Sequence, residues 1–118
     1  PPEHPLSGVA RMLKGTAQLS KSNPDVSLIC SGLSFLGAAA PGVAAACIEQ
    51  GGFSLAGFGR MIFAYPDFAR DIVDDKFDCK KICIACSKCT EIMRAGGTPG
   101  CVIRDSETYM PIYKKYCK

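Results

Sequence analysis

The run Cys83-Ile84-Ala85-Cys86-Ser87-Lys88-Cys89, closed by Cys101, constrains this chain more than any other stretch. Thiols at a repeat of three let one tight loop turn its sulfurs inward toward a single centre, and the cysteine beyond closes the cage. Convergent thiolates suit a soft, sulfur-loving metal, and a compact run of two-residue gaps is the pattern by which iron–sulfur clusters are held. Structural zinc is the plainer competitor. It usually takes two separate C-x2-C hooks, whereas here Cys86 belongs to both possible hooks and Cys101 comes alone. The spacing therefore points to a 4Fe-4S cubane on Cys83, Cys86, Cys89 and Cys101.

Composition limits what surrounds this site. A chain of 118 residues, 47% hydrophobic, can bury one modest core and is too short for a large enzyme. Its 14 basic and 11 acidic residues nearly balance, with no run of like charge beyond a pair or so, so no nucleic-acid partner is implied. Charged residues, glycines and prolines interrupt every apolar stretch before it reaches membrane-spanning length. Eight cysteines admit a secreted disulfide scaffold. Against it stand the crowding of cysteines in one loop, Ala/Ile/Val-rich segments able to form a core unaided and the lack of a signal-peptide pattern, which favour a reduced, cytoplasmic setting.

Taken in order, Pro-Pro-Glu-His-Pro is an extended lead-in, and its His4 is assigned no ligand or catalytic role. Leu6, Val9, Ala10, Leu13 and Ala17 recur at helical spacing and predict an amphipathic helix ending near Ser22-Asn23-Pro24. Val26 to Cys30 reads as a short buried strand. After a Gly/Ala-rich connection, Pro41 opens a helix through Val43, Ala46, Cys47 and Ile48 that stops at Gly51-Gly52. Phe53 to Phe58 reads as a second buried strand, and another helix starts at Pro66-Asp67 with Phe68, Ala69, Ile72 and Val73 as its apolar side. This is the rhythm of parallel βα units. From Asp74 it breaks: a charged connection leads into the cysteine loop, Thr90 to Ala95 allow a helical turn or two, and Gly96 to Gly100 return the chain to Cys101. Tyr109, Ile112, Tyr113 and Tyr116 make a closing amphipathic helix whose aromatic stripe is read as packing.

A second site is suggested by small residues at both strand ends, Ser31-Gly32-Leu33 and Gly57-Phe58-Gly59-Arg60. In parallel α/β structures the carboxyl ends of the strands form the ligand face, and glycine there lets backbone N–H groups approach an anion. Arg60 adds a bidentate phosphate donor. Either turn alone reads as a tight connection; as a pair, one βα unit apart, they indicate a phosphate-bearing cofactor.

Two segments together, Gly57-Phe58-Gly59-Arg60-Met61-Ile62-Phe63-Ala64-Tyr65-Pro66-Asp67 and Cys83-x2-Cys86-x2-Cys89-x11-Cys101, resemble the C-terminal end of the NADH:flavin oxidoreductase family. That family includes the Old Yellow Enzymes, and the nearest branch is the iron–sulfur flavoenzymes similar to 2,4-dienoyl-CoA reductase and trimethylamine dehydrogenase. The resemblance runs from about Pro24 to about Cys101. It implies a (βα)8 TIM barrel with FMN at its C-terminal mouth, the flavin phosphate on Ser31, Gly32 and Leu33 of one loop and on Gly59 and Arg60 of the next. It also implies that the cysteine quartet ligates the cluster, which exchanges single electrons with FMN while NAD(P)H donates electrons and an enone or enoyl-type substrate is reduced at the flavin. Leu33 stands where many relatives have a second glycine, and Ser54 where they often have Asp.

A complete barrel takes roughly 250 residues, so the expected fold is α/β: the last two βα units of a TIM barrel over residues 1–74, then an irregular cluster-binding segment and tail over 75–118. With Pro1 in place of Met, the chain reads as a C-terminal fragment that carries no catalytic residue of its own and is inactive without the remainder of the barrel. A small ferredoxin-like electron carrier and a zinc-stabilised structural module are the alternatives. Cys30 and Cys47 read as packing residues and Cys79 as a bystander. Lys80, Lys81 and Lys88 are candidates to offset the charge of a thiolate-ligated cluster, an ordinary solvated surface being the other account.

Overall fold

The computed structural model describes residues 3–117, so Pro1 and Pro2 of the extended lead-in, and Lys118, lie outside the described residues. The fold is mostly helical with one two-stranded parallel sheet, a mixed α/β arrangement. No described helix is long and apolar enough to cross a membrane. The chain divides into two compact units, Pro1–Gly59 and Arg60–Lys118. This division falls earlier than the expected boundary after residue 74, because Tyr65 and Phe68 pack with Phe77 at ring-centroid distances of 6.0–6.3 Å and so belong to the second unit.

In the first unit, helix α1 runs over Pro5–Ser22, at the predicted place. His4 has a structural task there: its Nδ1 accepts the N–H of Leu6 at 3.3 Å and caps the helix. Strand β1, Ile29–Cys30, pairs in parallel with β2, Leu55–Ala56, in the register Ile29 to Leu55 and Cys30 to Ala56. Between them lie a 3-10 segment, Leu33–Ala39, kinked at Gly37, and helix α2, Ala40–Glu49, with Pro41 in its first turn. Val9, Cys30, Leu33, Ala44 and Phe53 form the core.

The strands are shorter than expected and only half buried. Val26, Ile29 and Leu55 are 53%, 62% and 56% exposed. One face of the pair rests on the core through Cys30 and Ala56, while the paired Ile29 and Leu55 face outward, as the two-residue alternation of strands requires. The reading of both runs as buried strands is therefore corrected.

The second unit holds α3 (Gly59–Ala64), α4 (Phe68–Val73), α5 (Lys88–Arg94) and α6 (Ser106–Tyr116). Met61, Ala64, Tyr65, Phe68, Ile92 and Val102 are its buried apolar residues. The expected apolar side of α4 is a further correction: Phe68 is buried, but Val73 is 85% exposed and Ile72 38%, while Asp71 turns inward. Asp71 is held there by the Tyr65 hydroxyl, which donates to Oδ2 at 2.6 Å and accepts the Asp78 N–H at 3.2 Å. A buried carboxylate with a charge-assisted partner outweighs the propensity of one short helix. The tyrosine stripe forms α6, with Asp105 as its cap, and Tyr113 donates to Glu91 of α5. Gly100 must be glycine, since a Cβ there would fall 2.0 Å from the Tyr109 ring.

This packing has two measurable consequences. Ile92→Ala removes a side chain with 0% exposure and should cost about 2–5 kcal/mol in urea unfolding, whereas Val73→Ala should stay within about 0.5 kcal/mol. Burial, and then the hydrogen bond to Asp71, raise the Tyr65 hydroxyl above its ordinary value of 10.0. The folded state then holds that proton more tightly than the unfolded chain, so the contribution is intact below the ordinary value and lost as pH climbs past it. Urea melts across that alkaline range should show a fall in stability that Tyr65→Phe flattens.

Candidate functional site

Between α4 and α5 the chain has little regular structure; three non-glycine residues there lie in the left-handed region, Asp75 at φ 55° just after α4, and Ala85 at φ 56° and Ser87 at φ 63° in the cysteine loop. The last two set the course of that loop. Each reverses the backbone on one side of Cys86. The first reversal aims the Ala85 N–H back at Cys83 Sγ, 3.4 Å away. The second makes the Ser87 carbonyl accept the Thr90 and Glu91 N–H groups at 2.9 and 3.1 Å, which starts α5 and places Cys89 on its first turn. Gly96, at φ 81°, ends that helix. The return then delivers Cys101, whose carbonyl accepts the Asp105 N–H at 3.0 Å while its Sγ accepts the Arg104 N–H at 3.3 Å.

The result is one small recess lined by Cys83, Cys86, Cys89 and Cys101. All four expected ligands thus line it. Ile82, Ile84, Val102, Ile103 and Phe63 supply apolar wall, and Ser87 lies between them. Its charged lining residues are Arg60 and Arg104, both basic. Cys86 is the exposed member of the quartet; the others are half-buried, and all eight cysteines are free thiols. Among the described residues, no three of His, Cys, Asp and Glu are gathered closely enough to hold a metal ion as they stand.

The positive groups at the recess are not the lysines singled out from sequence. Lys88 Nζ lies 4.7 Å from the Tyr113 ring, and Lys81 Nζ lies 5.1 Å from the Tyr65 ring and 3.9 Å from Asp71. Arg60 turns its Nη1 to Ser87 Oγ at 3.4 Å, and Arg104 donates Nε and Nη2 to the Ile82 carbonyl at 3.3 and 3.1 Å. Met61 also contributes, its sulfur accepting the Cys83 N–H at 3.4 Å. Sequence reasoning missed Arg104, Ser87 and Met61 as supports. The one signal for Arg104 was its place three residues after Cys101, a spacing at which a backbone N–H can fold back on a cysteine sulfur.

The strand-end residues lie at the carboxyl edge of the parallel pair, Ser31 and Gly32 exposed immediately after β1 and Gly57 to Gly59 after β2. The two strand ends run close together: a Cβ on Gly57 would lie 3.2 Å from Ser31 Cβ. Gly32, at φ 85°, occupies a conformation that glycine adopts without penalty. Leu33 is 0% exposed, its side chain committed to the core, so any ligand contact there falls to its backbone.

No protein-family model, curated protein or solved structure matches this chain. What the site can do therefore rests on its own geometry. Left-handed non-glycine residues cost roughly 1–2 kcal/mol each, so Ala85→Gly should leave stability unchanged or improve it by up to about 1 kcal/mol, while the β-branched Ala85→Val should lower it. Urea unfolding of the two variants reads the difference directly.

Proposed function

We propose that this chain is the cluster-binding and flavin-phosphate portion of an FMN- and iron–sulfur-dependent oxidoreductase of the NADH:flavin oxidoreductase type, its two parallel strands being the last two of a TIM barrel. The observation that carries the reading is the recess lined by all four cysteines of the motif. The donor set fits a cluster: thiols alone as ligands, main-chain N–H groups aimed at Cys83 and Cys101 sulfurs, and arginines as the charged lining. Hydrogen bonds to sulfur and nearby positive charge are the means by which proteins tune such centres.

When bound, a 4Fe-4S cluster supplies single-electron transfer. Cys83, Cys86, Cys89 and Cys101 hold it, the apolar wall limits water, and exposed Cys86 marks the side nearest solvent. The backbone at Ser31, Gly32, Leu33 and Gly59 would hold the FMN phosphate, the sequence motif adding Arg60 as the expected side-chain donor. In the complete enzyme the flavin would supply hydride transfer between NAD(P)H and an enone or enoyl-type substrate, and this chain would contribute binding residues and no catalytic side chain to it. The parallel register of β1 and β2, with turns at their carboxyl edge, supports the placement of the phosphate loops.

Anaerobic reconstitution with iron and sulfide, followed by visible and electron-spin spectra, tests the cluster. A brown protein with matching iron and sulfide supports it; a colourless protein that takes zinc instead would replace it with a structural zinc module. Cys79→Ser should keep full iron content and Cys86→Ser should lose the cluster. Flavin titration of the reconstituted chain addresses the second half: FMN binding, weak without the rest of the barrel, supports the oxidoreductase portion, and no binding at all leaves a ferredoxin-like carrier.

A further inference from the structure

The cysteine quartet is assembled from two arms, the loop holding Cys83, Cys86 and Cys89 and the separate return holding Cys101, and something must fix their spacing. Arg104 is hydrogen-bonded to both. The main-chain N–H of Arg104 points at Cys101 Sγ, while its guanidinium donates twice to the carbonyl of Ile82, the residue next to Cys83. We infer that Arg104 is a positioning residue that clamps the Cys101 arm to the three-cysteine loop and places a fixed positive charge at the recess.

Two donors of a planar fork on a single carbonyl fix both distance and orientation, which a flexible ammonium does not reproduce. The guanidinium restrains the turn from Val102 to Arg104, and that turn carries the N–H aimed at Cys101 sulfur. Outer-shell contacts of this kind typically change metal affinity by about 10- to 100-fold when removed. The charge has a separate effect, because a cation beside a redox centre favours the reduced, more negative state. Arg60, the other basic lining residue, bonds Ser87 within the loop and joins no second arm.

The inference rests on the cluster reading for its redox half, and the two are separable by experiment. Hydrogen exchange of the metal-free chain is compared for wild type, Arg104→Met and Arg104→Lys. The Met variant keeps the aliphatic stem and removes the donors; the Lys variant keeps the charge without the fork. Amides of residues 101–105 should exchange about tenfold faster in Arg104→Met, the size of one charge-assisted hydrogen bond, with α1 unchanged as a control for folding. In reconstituted protein, a chelator should strip iron several-fold faster from both variants, and the midpoint potential should fall in Arg104→Met but not in Arg104→Lys. Exchange and iron loss at wild-type rates in both variants would overturn the clamp. Should Arg104→Met fail to fold, Arg104→Lys decides alone, wild-type iron loss there refuting the fork. A wild-type chain that takes up no iron and sulfide removes the cluster reading, and hydrogen exchange still decides whether Arg104 ties the arms.

Discussion

Sulfurs gathered around one recess repel each other as soon as they ionise, so a fold that assembles a cysteine quartet has to surround it with donors and positive charge. The second unit does this mostly with its backbone. Two left-handed residues, Ala85 and Ser87, turn the chain twice within a few residues, and the turns expose N–H groups that would otherwise bond along a strand or helix. One of these meets Cys83 sulfur, and a third turn after Cys101 presents the Arg104 N–H to the remaining arm. Strain at two positions is the cost of that geometry, and strained loops persist only when rigid elements hold them. Here α5 begins directly after Ser87, and Ile92 and Val102 are buried on either side of the return.

The first unit solves a different problem. Its core is one stripe of α1, α2 and the inner side of a minimal sheet, and the outer side stays in solvent: Ile29 and Leu55, register partners, leave 62% and 56% of their surface exposed. A two-stranded sheet is marginal by itself. What holds it is the packing of Cys30, Leu33 and Phe53 against Val9 and Ala44. The paired apolar side chains Ile29 and Leu55 leave the other face of the sheet uncovered by the described residues.

What could be read from sequence depended on whether the signal was local. The helices of Leu6 to Ala17 and of Pro41 to Ile48 announced themselves because apolar spacing and the residues that end each helix lie within a few positions. The three-residue spacing of Cys83, Cys86 and Cys89 was legible for the same reason, and the fold brings all three to line one recess with Cys101. Burial was not. Val26, Ile29 and Leu55 look like core in a linear reading, and only the number of neighbouring strands decides whether both faces are covered. The apolar side of α4 was misjudged because Asp71 is drawn inward by Tyr65, and nothing in the helical pattern records that Tyr65 will also meet the Asp78 N–H. Arg104 escaped notice because its partner, the Ile82 carbonyl, lies more than a loop away in sequence and carries no side-chain signature.

Arg60 shows how these two kinds of information bear on each other. Its place after Gly57-Phe58-Gly59 made it a phosphate donor by sequence, yet in the fold its guanidinium lines the cysteine recess and reaches Ser87 Oγ. That bond, at 3.4 Å to a neutral hydroxyl, is long and weak beside a bidentate phosphate contact. The cysteine recess depends less on that contact, because the bonds to Cys83 and Cys101 sulfurs are made by the backbone whether or not Arg60 takes part.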